Sequence, residues 1–348
     1  MIDLTRRSLL AAGTGALSLG LGALAPRPRA SALAWRALAP MPAPAQEIYP
    51  TLWPRQGLAK VVVAGGFTTT PNGPWVTEKA FLYDPDTDTW TDGPDLPAPR
   101  HHPQLAVAGG RLHAVGGFAF KPDPSQGTWQ MQSGGWAWDE AAGAWTGAPA
   151  LPAPRAEAVP LAFAGRFHLI GGRSPAGSAN ASWRDHADVS DHHVLDPALG
   201  RWESLAPAPT ARNSAAGVVL DGKLYVVGGR RVDAGNNAEL EVYDPAADRW
   251  DSLAPMPQAQ GGLAAGVAGG RLVAFGGEWF GPGGGGVHSE TWIYDPARDL
   301  WEAGPPMLTP RHGLGGVSIG DRIFAIGGAV RDGADGTSAA LEVLEPSS

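Results

Sequence analysis

Cysteine is absent from the 348 residues, and with it go disulfides, thiol nucleophiles, thiolate-ligated zinc and cysteine-held iron–sulfur clusters. Charged residues make up only 17%, and the formal net charge is −8. The first 32 residues hold Arg6, Arg7, Arg27 and Arg29 against Asp3, a net of +3, so the remainder carries −11. An acidic body lacks the broad basic surface that phosphate-backbone binding requires, which argues against nucleic acid as a partner. A long, strongly apolar run is also missing. The charge-free stretch from Ser8 to Ala25 is shorter than the ~20 residues of a spanning helix and is diluted by glycine and alanine.

What is abundant defines the class. The 49 glycines and 33 prolines imply frequent turns, while 43% hydrophobic residues and 14 tryptophans imply a substantial core. Together they describe an all-β chain of many short strands.

At the N-terminus, Thr5-Arg6-Arg7-Ser8-Leu9-Leu10 precedes the weakly apolar run, and Ala30-Ser31-Ala32 or Ala32-Leu33-Ala34 offers a small-residue cleavage site. The segment resembles a twin-arginine export signal, with Leu9 where Phe is common. That resemblance implies a signal peptide over 1–34, a mature domain over 35–348, and a periplasmic or secreted protein with no stable membrane insertion after cleavage. An uncleaved anchor is the competing reading.

Beyond residue 34 the sequence repeats. Gly-Gly pairs close apolar runs at 65–66, 116–117, 171–172, 228–229, 276–277 and 327–328. Trp90, Trp145, Trp202, Trp250 and Trp301 keep the same beat, and Tyr83, Trp138, Leu195, Tyr243 or Tyr294 stands seven residues before each. The spacing is near the ~50 residues of one four-stranded propeller blade. These six copies resemble the kelch repeat. The resemblance implies an all-β, six-bladed kelch-type β-propeller with four antiparallel strands per blade. The sixth copy ends at "ALEVLEPSS" without its tryptophan, whereas "WRALAPMP" (35–42) matches "WESLAPAP" (202–209) without the strands that should precede it. The N-terminal strand should therefore complete the last blade and close the ring.

Long connections follow the Gly-Gly pairs and share one face, where binding sites usually form. Ten residues after the repeat tryptophans come Arg100, Arg155, Arg212, Gln260 and Arg311, with Gln46 as the nearest counterpart in the first repeat. Two readings stand for these arginines: bonds to blade backbone, or a cationic collar for a carboxylate or polyol. Their neighbours vary by blade (Glu47, His101 and His102, Glu157, Asn213, His312), as a site would and pure architecture would not. Glu47 and Glu278 break the pattern most sharply. Arg173, Arg230, Arg231 and Trp279 can lean over the same opening. His113 and His168 hold positions occupied elsewhere by Tyr225, Val273 and Phe324, so they read as packing residues. "RDHADVSDHH" (184–193) fits no strong metal-ligand spacing and reads as a hydrated loop entering a strand. "GPGGGG" (281–286) reads as a flexible lid or linker. No metal or cofactor is expected.

The expected function is ligand binding at the long-loop face around the central channel, to a glycan, a small polyol or a protein segment. The expected ligand-binding residues are Glu47, Arg100, His101, Arg155, Arg212, Glu278, Arg311 and His312. The architecture also resembles galactose oxidase, whose radical cofactor needs a cysteine this chain lacks. "FGGEWF" (275–280), Arg212 and Arg311 resemble the pocket of sialic acid mutarotases. That likeness implies, as an alternative, a carbohydrate-active epimerase in which Glu278 or Glu47 is the general acid/base and the arginines hold the substrate carboxylate.

Overall fold

The computed structural model describes residues 33–347 apart from 56–57, 71–72 and 120–128. The expected export signal therefore lies outside the described residues, save for Leu33 and Ala34. Among the described residues no helix is long and apolar enough to cross a membrane.

Six four-stranded antiparallel sheets follow one another around a ring. Blade 4 illustrates the pattern: Ala216–Leu220 innermost, then Lys223–Val227, Leu240–Asp244 and the outer strand Arg249–Leu253. The tight turn at Asp221-Gly222 has both residues at positive φ (49° and 74°), as a two-residue hairpin requires. The second strands are mostly apolar because blades cover both of their faces, and Leu112, Leu224, Leu272 and Ile323 are fully buried. The Gly-Gly pairs that end them touch the next blade's backbone. A Cβ on Gly116 would lie 2.4 Å from the Arg155 carbonyl oxygen, which leaves no room for any other residue.

The ring closes as the repeat arithmetic requires. Leu33–Ala37 pairs with Leu341–Pro346, setting Trp35 opposite Leu344, in a sheet with Gly315–Ile319 and Arg322–Ile326. The closing strand starts two residues before Trp35. Each outer-strand tryptophan then latches onto the preceding blade through its indole N–H. Trp90 donates to Ala39 O, Trp145 to Pro94 O, Trp202 to Pro149 O, Trp250 to Ala206 O and Trp301 to Ala254 O, at 2.8–3.2 Å. Trp35 does the same to Pro305 O at 3.0 Å. A partly buried hydrogen bond of this kind contributes about 1 kcal/mol, and the indole ring adds its packing. Trp35, for example, meets Phe275 edge-on at 5.2 Å.

The long-loop face carries short satellite pairings. "GPGGGG" is part of one, the hairpin of Glu278–Gly281 with Gly284–Val287. It is thus an ordered turn, not the lid or linker its composition suggested; Gly284 takes φ 127°, which suits glycine alone. "RDHADVSDHH" is likewise divided between a 3-10 turn (Trp183–Asp185), the strand His186–Asp188 and the blade strand His192–Asp196.

Candidate functional site

The segments entering each inner strand build the channel mouth in three successive layers. Arginine forms the first. Arg100 Nη1 donates to Gly116 O (2.7 Å) and Arg155 Nη1 to Gly171 O (2.8 Å). Arg212 reaches the carbonyls of Gly228, Glu239 and Val226 and the Glu241 carboxylate (2.8 Å). Arg311 meets Ala325 O and Glu342. All four are buried, and burial lowers the pKa of each, that of Arg100 to about 10. Arg100, Arg155, Arg212 and Arg311 therefore fasten blades and do not line the mouth; of the two readings the architectural one holds. Gln46 is not their counterpart either. Ala45 occupies that place, since its carbonyl accepts from Gly328 N as the Arg100 carbonyl accepts from Gly66 N.

The second layer pairs with the residue after each Gly-Gly. Gln46 bridges to Phe67, His101 to Phe118, Ala156 to Arg173, Asn213 to Arg230, Gly261 to Glu278 and His312 to Ala329. This pairing carries Arg173, Arg230 and Glu278 inward over the mouth.

The third layer is a ring of left-handed residues: Glu47 (φ 57°), His102 (52°), Glu157 (53°), Ser214 (48°), Gly262 (66°) and Gly313 (57°). Their amides donate from blade to blade: His102 to Glu47 O, Glu47 to Gly313 O, Gly313 to Gly262 O, Gly262 to Ser214 O and Ser214 to Glu157 O, at 2.7–3.0 Å. Positive φ is costly for residues with a Cβ and is concentrated at functional sites. Here it places the Glu47, His102 and Glu157 side chains at the cavity above the ring.

That cavity, about 350 Å³, lies in the usual range for small-molecule sites. Glu47, Glu157, Glu278, His101, His102, His312 and Arg230 supply its polar surface, while Phe67, Trp129, Trp183 and Phe280 supply its walls. His101 stacks on Phe118 at 4.8 Å. Below the ring, Tyr49 faces a narrower channel space lined by Ile48, Leu263 and Leu314. Burial, then the nearby Glu157 and Glu47 carboxylates, push its phenol well above the usual value.

The charges are tightly interlocked. His102 Nε2 lies 2.8 Å from Glu47 Oε2. Arg230 pairs with Glu278, and Arg173 Nη1 lies 3.3 Å from Glu157, which also accepts from Ser214 Oγ at 2.6 Å. Burial alone would raise the Glu47 carboxyl, yet His102, His312 and Arg230 outweigh it and hold it well below the usual carboxylate range. Glu157 is lowered in the same way, burial being opposed by His102, Arg173 and Arg230. Both carboxylates are therefore ionised at neutral pH. Burial would lower Arg230, but Glu278, Glu157 and Glu47 raise it instead. His312 sits between two carboxylates, with Nδ1 3.9 Å from Glu47 and 3.4 Å from Glu278. Among the described residues neither of its ring nitrogens has a hydrogen-bond partner.

Of the residues expected from the sequence, Glu47, His101, Glu278 and His312 meet in this cavity. Trp279 and Arg231 are exposed and do not line it. His102, Glu157, Arg230 and the aromatic walls complete it. A detectable signal for the left-handed residues was the repeat position two places after each arginine slot, where glycine in blades 5 and 6 marks a positive-φ backbone. His113 and His168 are buried in the blades; burial lowers both to about 4. Among the described residues no three potential ligands converge as a metal site would require.

The sequence matches the KLHDC2/KLHL20/DRC7 kelch-repeats domain over residues 56–277 and the kelch motif over 261–308. The kelch-like protein terF of Aspergillus terreus is 25% identical over 174 residues, 49% of this chain and 37% of that protein. Human kelch repeat and BTB domain-containing protein 13 is 35% identical over 135 residues, 38% of this chain and 26% of that protein. The chain thus spans well under half the length of these relatives. A solved structure titled "Structure of YjhT" superposes with a TM-score of 0.71 at 16% identity, covering 87% of this chain and 95% of that one; it is similar in fold. With more than half of its length matched, the chain belongs to the kelch-repeat family.

Proposed function

We propose that this kelch propeller binds a hydroxyl-rich ring compound, a glycan or small polyol, in the cavity above the left-handed ring. The supporting observation is the cavity's composition: ionised carboxylates at the floor with His312 between them, its ring nitrogens not hydrogen-bonded to any described residue, and aromatic walls. Carboxylates and imidazole exchange hydrogen bonds with sugar hydroxyls, and aromatic faces cover the C–H faces of the ring. A neutral sugar suits the site better than an acidic one. Arg173 and Arg230 are already engaged by Glu157 and Glu278, and the four collar arginines are committed to the blades. A protein segment offering one hydroxyl-rich or cationic side chain is a weaker fit, because the polar floor is small and recessed.

One arrangement favours an enzymatic second reading. Glu47 and Glu278 flank His312 at 3.9 and 3.4 Å, and either carboxylate could act as general acid/base on an anomeric or ring oxygen of a bound sugar, as in a mutarotase-like epimerase. In that reading Arg230, and not Arg212 or Arg311, would have to receive a substrate carboxylate.

Saturation-transfer NMR with neutral sugars, polyols, sialic acid, uronic acids and hydroxylated peptides separates these readings. Transfer to neutral sugars that is lost in Glu47→Gln supports the proposal. Transfer to acidic sugars alone would favour the epimerase, and response to peptides alone would overturn the sugar reading. We further propose periplasmic or secreted placement by twin-arginine export. Replacing Arg6 and Arg7 with Lys should hold the protein in the cytoplasm, and undiminished export of that variant would overturn it.

A further inference from the structure

The arginine layer has one open place, and we propose that it is a second ligand site, a socket for an alkylguanidinium group. In blades 2, 3, 4 and 6 the slot beneath the Gly-Gly turn is filled by Arg100, Arg155, Arg212 and Arg311. Their guanidinium groups bond the carbonyl of the first glycine (Gly116, Gly171, Gly228) or of the residue two before it (Val226, Ala325). In blade 5 the slot holds Gln260, whose side-chain amide is buried with neither polar atom hydrogen-bonded to a described residue. In blade 1 it holds Ala45.

Truncation to alanine leaves a cavity of about 80 Å³ in blade 1. The equivalent acceptor residues, Gly65 and Val63, line it. So does Phe81, which corresponds to Trp136 of blade 2, the ring over which the Arg100 guanidinium lies at 4.6 Å. In blade 1 the residues whose carbonyls serve Arg212 recur as Gly65 and Val63, and the ring beneath Arg100 recurs as Phe81. Blades 4 and 6 instead place Glu241 and Glu342 at the Phe81 position. A planar guanidinium matches both the carbonyls and the ring of blade 1, since it donates in its plane and stacks through its faces. The slot is also reachable from solvent, because half-exposed Trp75 and exposed Lys79 stand at its edge. Lys79 at that edge is paired with Asp95 at 2.6 Å, so its charge is locally balanced. This site is distinct from the sugar cavity and does not depend on it.

The test is titration of the full chain with methylguanidinium and with a capped tripeptide bearing a central arginine, followed by tryptophan fluorescence and indole NMR, with methylammonium as the control. A saturable change with either guanidinium probe, absent with methylammonium, is expected. Ala45→Arg should abolish it while raising the melting temperature, because the chain then fills its own socket. Ala45→Leu should also abolish it and serves as the readout if the arginine variant does not fold. Tighter binding of the tripeptide would identify a partner's arginine as the natural occupant, and tighter methylguanidinium a free metabolite. A linear, non-saturating response, or a saturable one that persists unchanged in both variants, overturns the proposal.

Discussion

Arg212 and Ser214 are two residues apart in one repeat, yet they belong to layers with opposite roles. Arg212 is buried against three carbonyls and Glu241, as arginine is against its own blade in three other repeats. Ser214, at φ 48°, stands in the ring where the repeat diverges to Glu47, His102, Glu157 and two glycines. One layer keeps its residue because it ties the incoming segment to its own blade, and the other varies because it faces the cavity. In these two layers recurrence goes with bonds inside the blade, and divergence goes with the candidate site.

The sharpest way to break this comparison is Arg212→Ala. It would strand the Glu241 carboxylate, buried to about 1% exposure, with Thr210 as its remaining hydrogen-bond donor. Losing one member of a buried pair costs about 3–5 kcal/mol. Denaturant unfolding should show that loss, while the proposed sugar binding, measured on the folded fraction, stays unchanged. A variant that melted normally but no longer bound sugar would move Arg212 into the site and reverse the roles of the two layers.

A smaller effect is expected at Glu47, and it should depend on pH. This carboxyl is held lower in the folded chain than in the unfolded one. It therefore contributes stability that is complete above its unfolded pKa and lost as pH falls through the folded value. Glu47→Gln should cost about 2 kcal/mol at neutral pH, the scale of a charge-assisted hydrogen bond. The gap between wild type and variant should narrow as pH falls below the ordinary glutamate value of 4.5. A gap that stayed constant to low pH would mean that Glu47 is not held by His102 and its neighbours.

The fold was legible because its fastenings repeat. Trp35 could be assigned to the last blade from "WRALAPMP" alone, and it makes the same indole bond as its five counterparts. The site was legible only where a residue broke the repeat, as Glu47 and Glu278 do. The two readings of the arginines stayed open in the sequence because it reports side-chain type but not direction. Arg100 and His102 diverge through a change in the sign of φ, which only glycine at the equivalent places of blades 5 and 6 hinted at. Trp129, Trp183 and Phe280 come from connections with no common register, so no internal comparison could place them at the cavity.

The smallest effect tests whether the left-handed ring is strained at all. Gly262 takes φ 66°, and a Cβ there would meet nothing closer than 3.5 Å. Gly262→Ala therefore isolates the backbone penalty, about 1 kcal/mol. Gly313→Ala should cost more at a similar φ, because its Cβ would fall 2.9–3.1 Å from the Glu47 carboxylate. If Gly262→Ala shows that penalty in denaturant unfolding, then Glu47, His102, Glu157 and Ser214 each bear a similar one. Four residues holding an unfavourable backbone where glycine would relieve it are kept there for their side chains. For Ser214 one such use is visible, the 2.6 Å bond that positions Glu157. If Gly262→Ala costs nothing, the ring accepts any residue, and its non-glycine members no longer argue for a site.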